Sequence, residues 1–337
     1  MKETLFMRQL AAYFETHLPQ TRRCSPNTIA AYADAFVLLF QFLQEQKGLP
    51  HYRVNYKDFT PAMLDDFILW LGRTRHYSAA SKKQRLSAIR SFLKYASRRE
   101  MVALSALSAA AGTETPRVPQ TAFPYFTVEE THVLLRLPNL NKKTGRRDIA
   151  LLSLFYDSAA RSQELCDLCV GDIKFGSPTK VKLRGKNNKA REVPISDDVA
   201  RLLRWHLKQN GLESCREKPL FSSQAQEKMT PACIRSLTDK YVAKAKALCP
   251  KLFLEPKYSP HSFRHSKAVH MVESGTQLIY IRNFLGHESI QSTEIYARVG
   301  QAAVTKALTE RNIPNVAPSE SLKQTKPNLP DFIATVR

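Results

Sequence analysis

Acidic residues are scarce against basic ones in this 337-residue chain: 30 Asp plus Glu face 51 Lys plus Arg, a formal net charge of +21. That imbalance argues against a cationic partner and for a polyanion. Long apolar runs are also missing. None approaches the roughly 18 residues of a membrane span, and the N-terminal MKETLFMRQL lacks a signal-peptide core. The expected location is therefore the cytoplasm, with association to the nucleoid and no membrane partner. The six cysteines have no regular spacing, which fits reduced thiols and excludes a disulfide framework. No G-x-x-x-x-G-K-[ST] phosphate loop occurs, and no set of carboxylates suits a two-metal site. Asp197-Asp198 reads as a capped first helical turn and Asp65-Asp66 as part of an amphipathic helix. Cys166-x-x-Cys169 has no second pair and reads as packing. No cofactor and no metal are expected, and there are no internal repeats.

What the chain does contain is a short span rich in phosphate chemistry, from His261 to Ala297. His261 and Arg264 stand three apart at the start of an expected helix, so both can address one phosphate. His287 follows Leu285-Gly286, and Tyr296 lies nearby. A tyrosine that attacks phosphorus needs a base for its proton, cations for the crowded oxygens, and an acid for the departing 5′ oxygen. His265 could pair with His261 as metal ligands, but a third ligand would have to be His270 or a distant carboxylate, and Arg264 between them argues for phosphate. It reads as a residue that positions its neighbours. Tyr258 and Tyr280 are rival nucleophiles, and Tyr280, among Leu278, Ile281, Phe284 and Leu285, reads as core.

With these residues the chain resembles the tyrosine recombinases, the phage-integrase family. Upstream, Ala159-Ala160-Arg161-Ser162-Gln163-Glu164-Leu165 matches the family's G-x-R-x-x-E-L, with alanine where glycine is usual. Lys186, in Gly185-Lys186-Asn187-Asn188-Lys189-Ala190-Arg191, matches the lysine of the family's β-hairpin, and Asn187 replaces a common turn glycine. The order R, K, H-x-x-R, G-H, Y runs across about half the chain with six positions matched: Arg161, Lys186, His261, Arg264, His287 and Tyr296.

The resemblance implies breakage and rejoining of DNA through a 3′-phosphotyrosine, without metal or ATP. Physical chemistry fits each role. Arg161 and Arg264 would grip the non-bridging oxygens, because a guanidinium stays charged and offers paired donors. Tyr296 would be the nucleophile, and two guanidiniums beside it would favour its phenolate. His261 is the better candidate base and His287 a donor to a phosphate oxygen, although the two could exchange roles. Lys186 would be the general acid for the leaving 5′ hydroxyl.

Apolar periodicity makes the first half helical: about Ser25–Gln46, a segment opened by Thr60-Pro61, and about Ser81–Arg99. In the last of these, Lys83, Arg90, Lys94 and Arg98 share a face that could follow a phosphate backbone. Lys189 and Arg191 are either further phosphate contacts or solubilisers of the hairpin. Residues 1–110 are thus expected to form a helical core-binding (SAM-like) domain, 111–124 a linker and 125–300 the catalytic domain. That second domain should be mainly α with a small β-sheet (α+β), carrying strands at 171–175, 180–184 and 190–195. Together the two imply a two-domain DNA clamp. Residues 301–337 form a tail whose apolar end could exchange between protomers.

Double-stranded recombination sites and a homo-tetramer on two of them are the partners the resemblance implies. The absence of room for an arm-site domain points to simple sites, which a mobile-element integrase or transposase and a chromosome-dimer resolvase would both fit; the former is the expectation. Two other function classes stay in view: an inactive DNA-binding regulator, and a type IB-like topoisomerase, whose usual clamp is larger.

Overall fold

Side-chain caps mark out the helices of the N-terminal half. Helix α1 (Leu5–Ala12) opens on Thr4, whose side chain accepts the N–H of Met7. It runs into a wider π-helical stretch, Tyr13–Thr21, that contains Pro19. Ser25 and Thr60, each followed by proline at the first helical position, start α2 (Pro26–Lys47) and α3 (Pro61–Arg73). Gly48 ends α2 in the left-handed conformation that glycine adopts without penalty. Ser78 caps α4 (Ala79–Ser97), and α5 (Ala103–Gly112) follows.

This computed structural model describes residues 3–115, 123–185, 189–223 and 227–299. The chain divides into two units at residues 121 and 122. In the first, the inward faces of α1 to α5 meet in one core in which the Phe6 ring stands 5.2 Å from both Phe59 and Phe92. Burying each such side chain contributes roughly 1.5–3 kcal/mol. The three expected helices are present, whereas α1 and α5 were not anticipated. Contrary to the hydropathy reading, α2 is long and apolar enough to cross a membrane by length and composition alone. Its Phe36, Leu39, Phe42 and Leu43 pack into this core.

One residue of the basic stripe on α4 has a different task. Arg90 donates from Nε to the Ala110 carbonyl at 2.6 Å and from Nη2 to Thr113 at 2.7 Å and Ala111 at 3.3 Å. It caps the C-terminus of α5, where the last carbonyls of a helix lack partners, so the expected phosphate contact is corrected. Lys83 and Lys94 are exposed on α4, and Arg98, its C-cap residue, is exposed just beyond it.

The second unit is mostly helical with one small sheet, the α+β class expected. Thr127 and Glu130 form a capping box ahead of α6 (Val128–Arg136). Helix α7 (Lys143–Ser158) runs through the core with Leu151, Leu152, Leu154 and Phe155 fully buried. A five-residue helix, α8 (Ser162–Cys166), leads to strands β1 (Ile173–Lys174), β2 (Lys180–Arg184) and β3 (Ala190–Pro194). They pair antiparallel in the order β1-β2-β3, with Val181 opposite Val193 and Leu183 opposite Arg191. Then come α9 (Asp197–Gln209), α10 (Pro231–Leu248), α11 (Pro260–Glu273), α12 (Leu278–Leu285) and α13, residues 291–299.

Cys166 packs in the core, and Tyr258 is buried with its ring stacked 4.6 Å from Phe126. Tyr280 overturns its reading as core. It is 62% exposed on α12, whose buried side is Ile281 and Leu285. Lys186, Asn187 and the tail at 301–337 lie outside the described residues.

Candidate active site

Five of the six catalytic candidates meet where α7, α8, α11, α12 and α13 converge. Helix α7 ends on Ala159, whose φ of 47° is left-handed. That backbone explains why glycine suits the position. The reversal sends the chain into α8, with Arg161 as its N-cap residue. Arg161 donates its N–H to Glu164 Oε2 at 2.8 Å and its Nη1 to Glu164 Oε1 at 2.8 Å. The R-x-x-E spacing therefore gives one half of a capping box, Glu164 accepting the Arg161 N–H, joined by an ion pair to the Arg161 side chain, which stays 40% open.

Glu164 is buried and holds a second arginine. Arg191, on β3, donates Nη1 to Oε1 at 2.8 Å and Nη2 to Oε2 at 2.9 Å, while its Nε reaches the Phe284 carbonyl at 3.0 Å. Burial alone would raise the Glu164 pKa, but Arg191 first and Arg161 next hold it down at about 2. Arg191 therefore points inward, which corrects its assignment among phosphate contacts. Lys189 is exposed and pairs at 2.9 Å with Glu288, beside His287.

Arg264 rises from the first turns of α11, which starts at Pro260 behind a Ser259–Ser262 capping box. It is 4% exposed and donates Nη1 to the Ala159 carbonyl at 2.8 Å and Nη2 to the Leu285 carbonyl at 2.6 Å. Burial, then the charges of Arg161 and Arg191, lower its pKa to about 10. Three guanidiniums thus surround one carboxylate, a net positive site that calls for an anion. Planar donors at such a site suit phosphate.

Tyr296, on α13, is 2% exposed. Its Oη lies 3.0 Å from His265 Nδ1, and the Phe123 ring packs edge-on against it at 5.2 Å and along His265 at 4.4 Å. Burial raises the phenol pKa above its ordinary 10 and outweighs the opposing pull of Arg264 and Arg161. The phenolate expected from nearby guanidiniums is accordingly reversed in the free protein. Burial also lowers His265, helped by His261 and Arg264, to about 4, so its ring is neutral at physiological pH.

His287 follows Gly286, the left-handed residue that closes α12. Its ring lies parallel to Tyr296 at 6.4 Å, with Nδ1 3.0 Å from Thr293 Oγ1. Burial, then Arg264 and Arg161, bring its pKa to about 4. His261, one turn before His265, is exposed on one edge, and its packed side together with Arg264 and Arg161 lowers its pKa. It faces the His265 ring at 6.2 Å and is not the group on Oη. Sequence reasoning gave no chemical role to Glu164 or Phe123. Only the R-x-x-E spacing signalled the first.

No group of three or more His, Cys, Asp or Glu among the described residues could hold a metal. The site can instead bind a phosphodiester through Arg161 and Arg264 and offer it a phenol already hydrogen-bonded to a neutral imidazole.

Comparison with known proteins gives an independent view. The model of the phage integrase family matches residues 125–302, and that of the phage integrase N-terminal SAM-like domain matches residues 11–100. Tyrosine recombinase XerC of Myxococcus xanthus is 30% identical over 292 residues, covering 85% of this chain and 91% of that protein. XerC of Syntrophus aciditrophicus is 28% identical over 302 residues, covering 87% and 94%. Among solved structures, the XerH site-specific recombinase bound to palindromic difH substrate superposes with a TM-score of 0.67 at 19% identity, covering 89% of this chain and 84% of that one. The Tn1549 transposon integrase with transposon right end DNA gives 0.65 at 14% identity, covering 89% and 99%. These structures share the fold.

Proposed function

The chain belongs to the phage integrase family and is a tyrosine-type site-specific recombinase, and from that premise we propose how it cuts and rejoins double-stranded DNA. Arg161 and Arg264 hold the scissile phosphate, Tyr296 Oη attacks phosphorus, and the bond to the 5′ oxygen breaks. The product is a 3′-phosphotyrosine and a free 5′ hydroxyl. The covalent link conserves the phosphodiester, so a 5′ hydroxyl from another strand can attack it and release Tyr296 without ATP.

The observation that supports this reading is the Tyr296–His265 hydrogen bond beside the Arg264 and Arg161 guanidiniums. Removing one such anion-holding donor typically costs about 3–4 kcal/mol of barrier, on the order of a hundred- to thousandfold in rate. Magnitudes also order the events. Passing a proton from a phenol raised above its ordinary range by burial to an imidazole lowered to about 4 is strongly uphill in the free protein. The transfer must therefore accompany attack, when the phosphate's negative charge sits beside His265, His261 and His287 and raises their proton affinity. Lys186 is assigned the leaving 5′ hydroxyl from its match to the family's hairpin lysine.

Covalent capture tests the proposal. Tagged wild type and Tyr296→Phe are expressed, denatured, purified with EDTA present, and the attached DNA is sequenced. Only the wild type should retain DNA. Retention by neither, despite native DNA binding and a nicked trapping substrate, would turn the reading to a DNA-binding regulator. The finer role proposed is integration of a mobile element by a tetramer on two sites. Reads that end at an element's own termini support it, and reads at one fixed chromosomal site replace it with a resolvase.

A further inference from the structure

Arg191 sits at the meeting point of three elements that the reaction needs held together. From β3 its guanidinium makes a paired bond to Glu164 on α8, at 2.8 and 2.9 Å, and a third bond to the Phe284 carbonyl at the end of α12, at 3.0 Å. Its side chain is only 14% exposed, so little of it is left to meet DNA. Each partner leads to a group at the phosphate. Both Glu164 oxygens also accept from Arg161, one from its N–H and one from its Nη1. The Phe284 carbonyl precedes Leu285, whose carbonyl takes Arg264 Nη2, and Gly286-His287 follow at once. Two consecutive carbonyls at the end of α12 are thus held by two arginines. A Cβ at Gly286 would lie 2.9 Å from Arg191 Cδ, so the turn before His287 is closed down on this side chain.

We propose that Arg191 is a positioning residue for strand cleavage, acting through Glu164 to aim Arg161 and through the end of α12 to place His287. This rests on the recombinase reading and adds a residue to it. Physically, without Arg191 the only side-chain bond on the Glu164 carboxylate would be the one from Arg161 Nη1, beside the Arg161 backbone N–H, so Nη1 and Oε1 could shift together. With Arg191 gripping both oxygens, the Glu164 plane is fixed, and the face of Arg161 presented to phosphate is fixed with it. Because Arg191 also lies on the hairpin that bears Lys186, it ties the assigned acid's strand to the arginine and histidine sides of the site. Lysine could neutralise Glu164 but could not bind both oxygens and the carbonyl together.

The test uses the full chain and a nicked duplex carrying the cleavage site recovered by covalent capture. Single-turnover cleavage at saturating protein, DNA affinity by gel shift and Tm are measured for wild type, R191Q, R191K, E164Q and the E164Q/R191Q pair. Cleavage by R191Q should slow on the order of a hundredfold while Kd changes less than about threefold, with R191K recovering only part of the loss. The pair should be no slower than the slower single variant, because both act on Arg161. If R191Q does not fold, R191K carries the same comparison. The inference is overturned if R191Q cleaves like wild type, if its loss is in Kd, or if the two losses multiply. A wild type that binds the duplex and never cleaves would overturn the recombinase reading itself, and this role with it.

Discussion

His265 Nδ1 stands 3.0 Å from Tyr296 Oη, so the histidine that follows Arg264, and not the one three residues before it, has the nearest hold on the nucleophile's proton. A neutral imidazole accepts at one ring nitrogen and donates at the other, so Nδ1 can take the phenol's hydrogen bond when Nε2 carries the proton. His265→Ala should slow single-turnover cleavage on the order of a hundredfold, the low end of what a lost proton acceptor costs. DNA affinity should be unchanged. Cleavage within about threefold of wild type would leave His265 as packing.

The two phosphate arginines should fail differently. Arg161 is 40% open and bonds only Glu164 among the described residues, whereas Arg264 is buried and satisfies the carbonyls of Ala159 and Leu285. Arg161→Ala and Arg264→Ala should each lose about a hundred- to thousandfold in cleavage rate. Only the second should also destabilise the fold, by roughly 2–5 kcal/mol, because it strands two buried carbonyls. Thermal denaturation separates the two, and equal Tm values for both variants would contradict the burial argument.

Much of this was legible in the chain. Ser25-Pro26, Thr60-Pro61 and Thr127-x-x-Glu130 act locally, so cap residues alone set those helix starts. The hairpin strands show the same locality, since β2 and β3 are adjacent in sequence. What stayed hidden depends on approach between distant segments. Arg191 meets Glu164 across 27 positions and Tyr296 meets His265 across 31. The phenol's shift was misjudged because the nearby charges could be listed, while the burial that outweighs them could not. Tyr280 failed for a related reason: a short apolar helix has an outward face that its own periodicity left ambiguous.

On α4, stability and DNA affinity should separate by residue. Arg90 holds three carbonyls at the end of α5, while Lys83, Lys94 and Arg98 are exposed. Lys94→Ala should lower the slope of log affinity against log salt by about 0.9, the effect of one lost phosphate contact, and leave Tm unchanged. Arg90→Ala should leave the slope unchanged and cost about 1–3 kcal/mol in stability. A reduced salt slope for Arg90→Ala would restore it to the DNA-facing stripe.

Acid should weaken the catalytic unit well above the carboxylate range. Burial first of all lowers the pKa values of His265, His270 and His287 from the ordinary 6.5 to about 4. Between those values the unfolded chain binds more protons than the folded one, so stability is complete above about pH 6.5 and falls as pH drops toward 4. Each histidine should contribute a loss on the order of 1–2 kcal/mol by pH 5. Glu164 acts elsewhere on the scale: held at about 2 against an ordinary 4.5, its contribution is lost only below pH 4.5. Denaturant unfolding followed from pH 7.5 to 5 should therefore show a continuous decline. His270 is outside the phosphate site and bonds Tyr156 Oη through Nδ1 at 2.8 Å. His270→Gln, which cannot take up a proton, should make that decline shallower whatever it does to stability at neutral pH. A flat profile across this window in the wild type would mean that these rings are not held neutral by burial, and the argument for coupled proton transfer from Tyr296 would lose its premise.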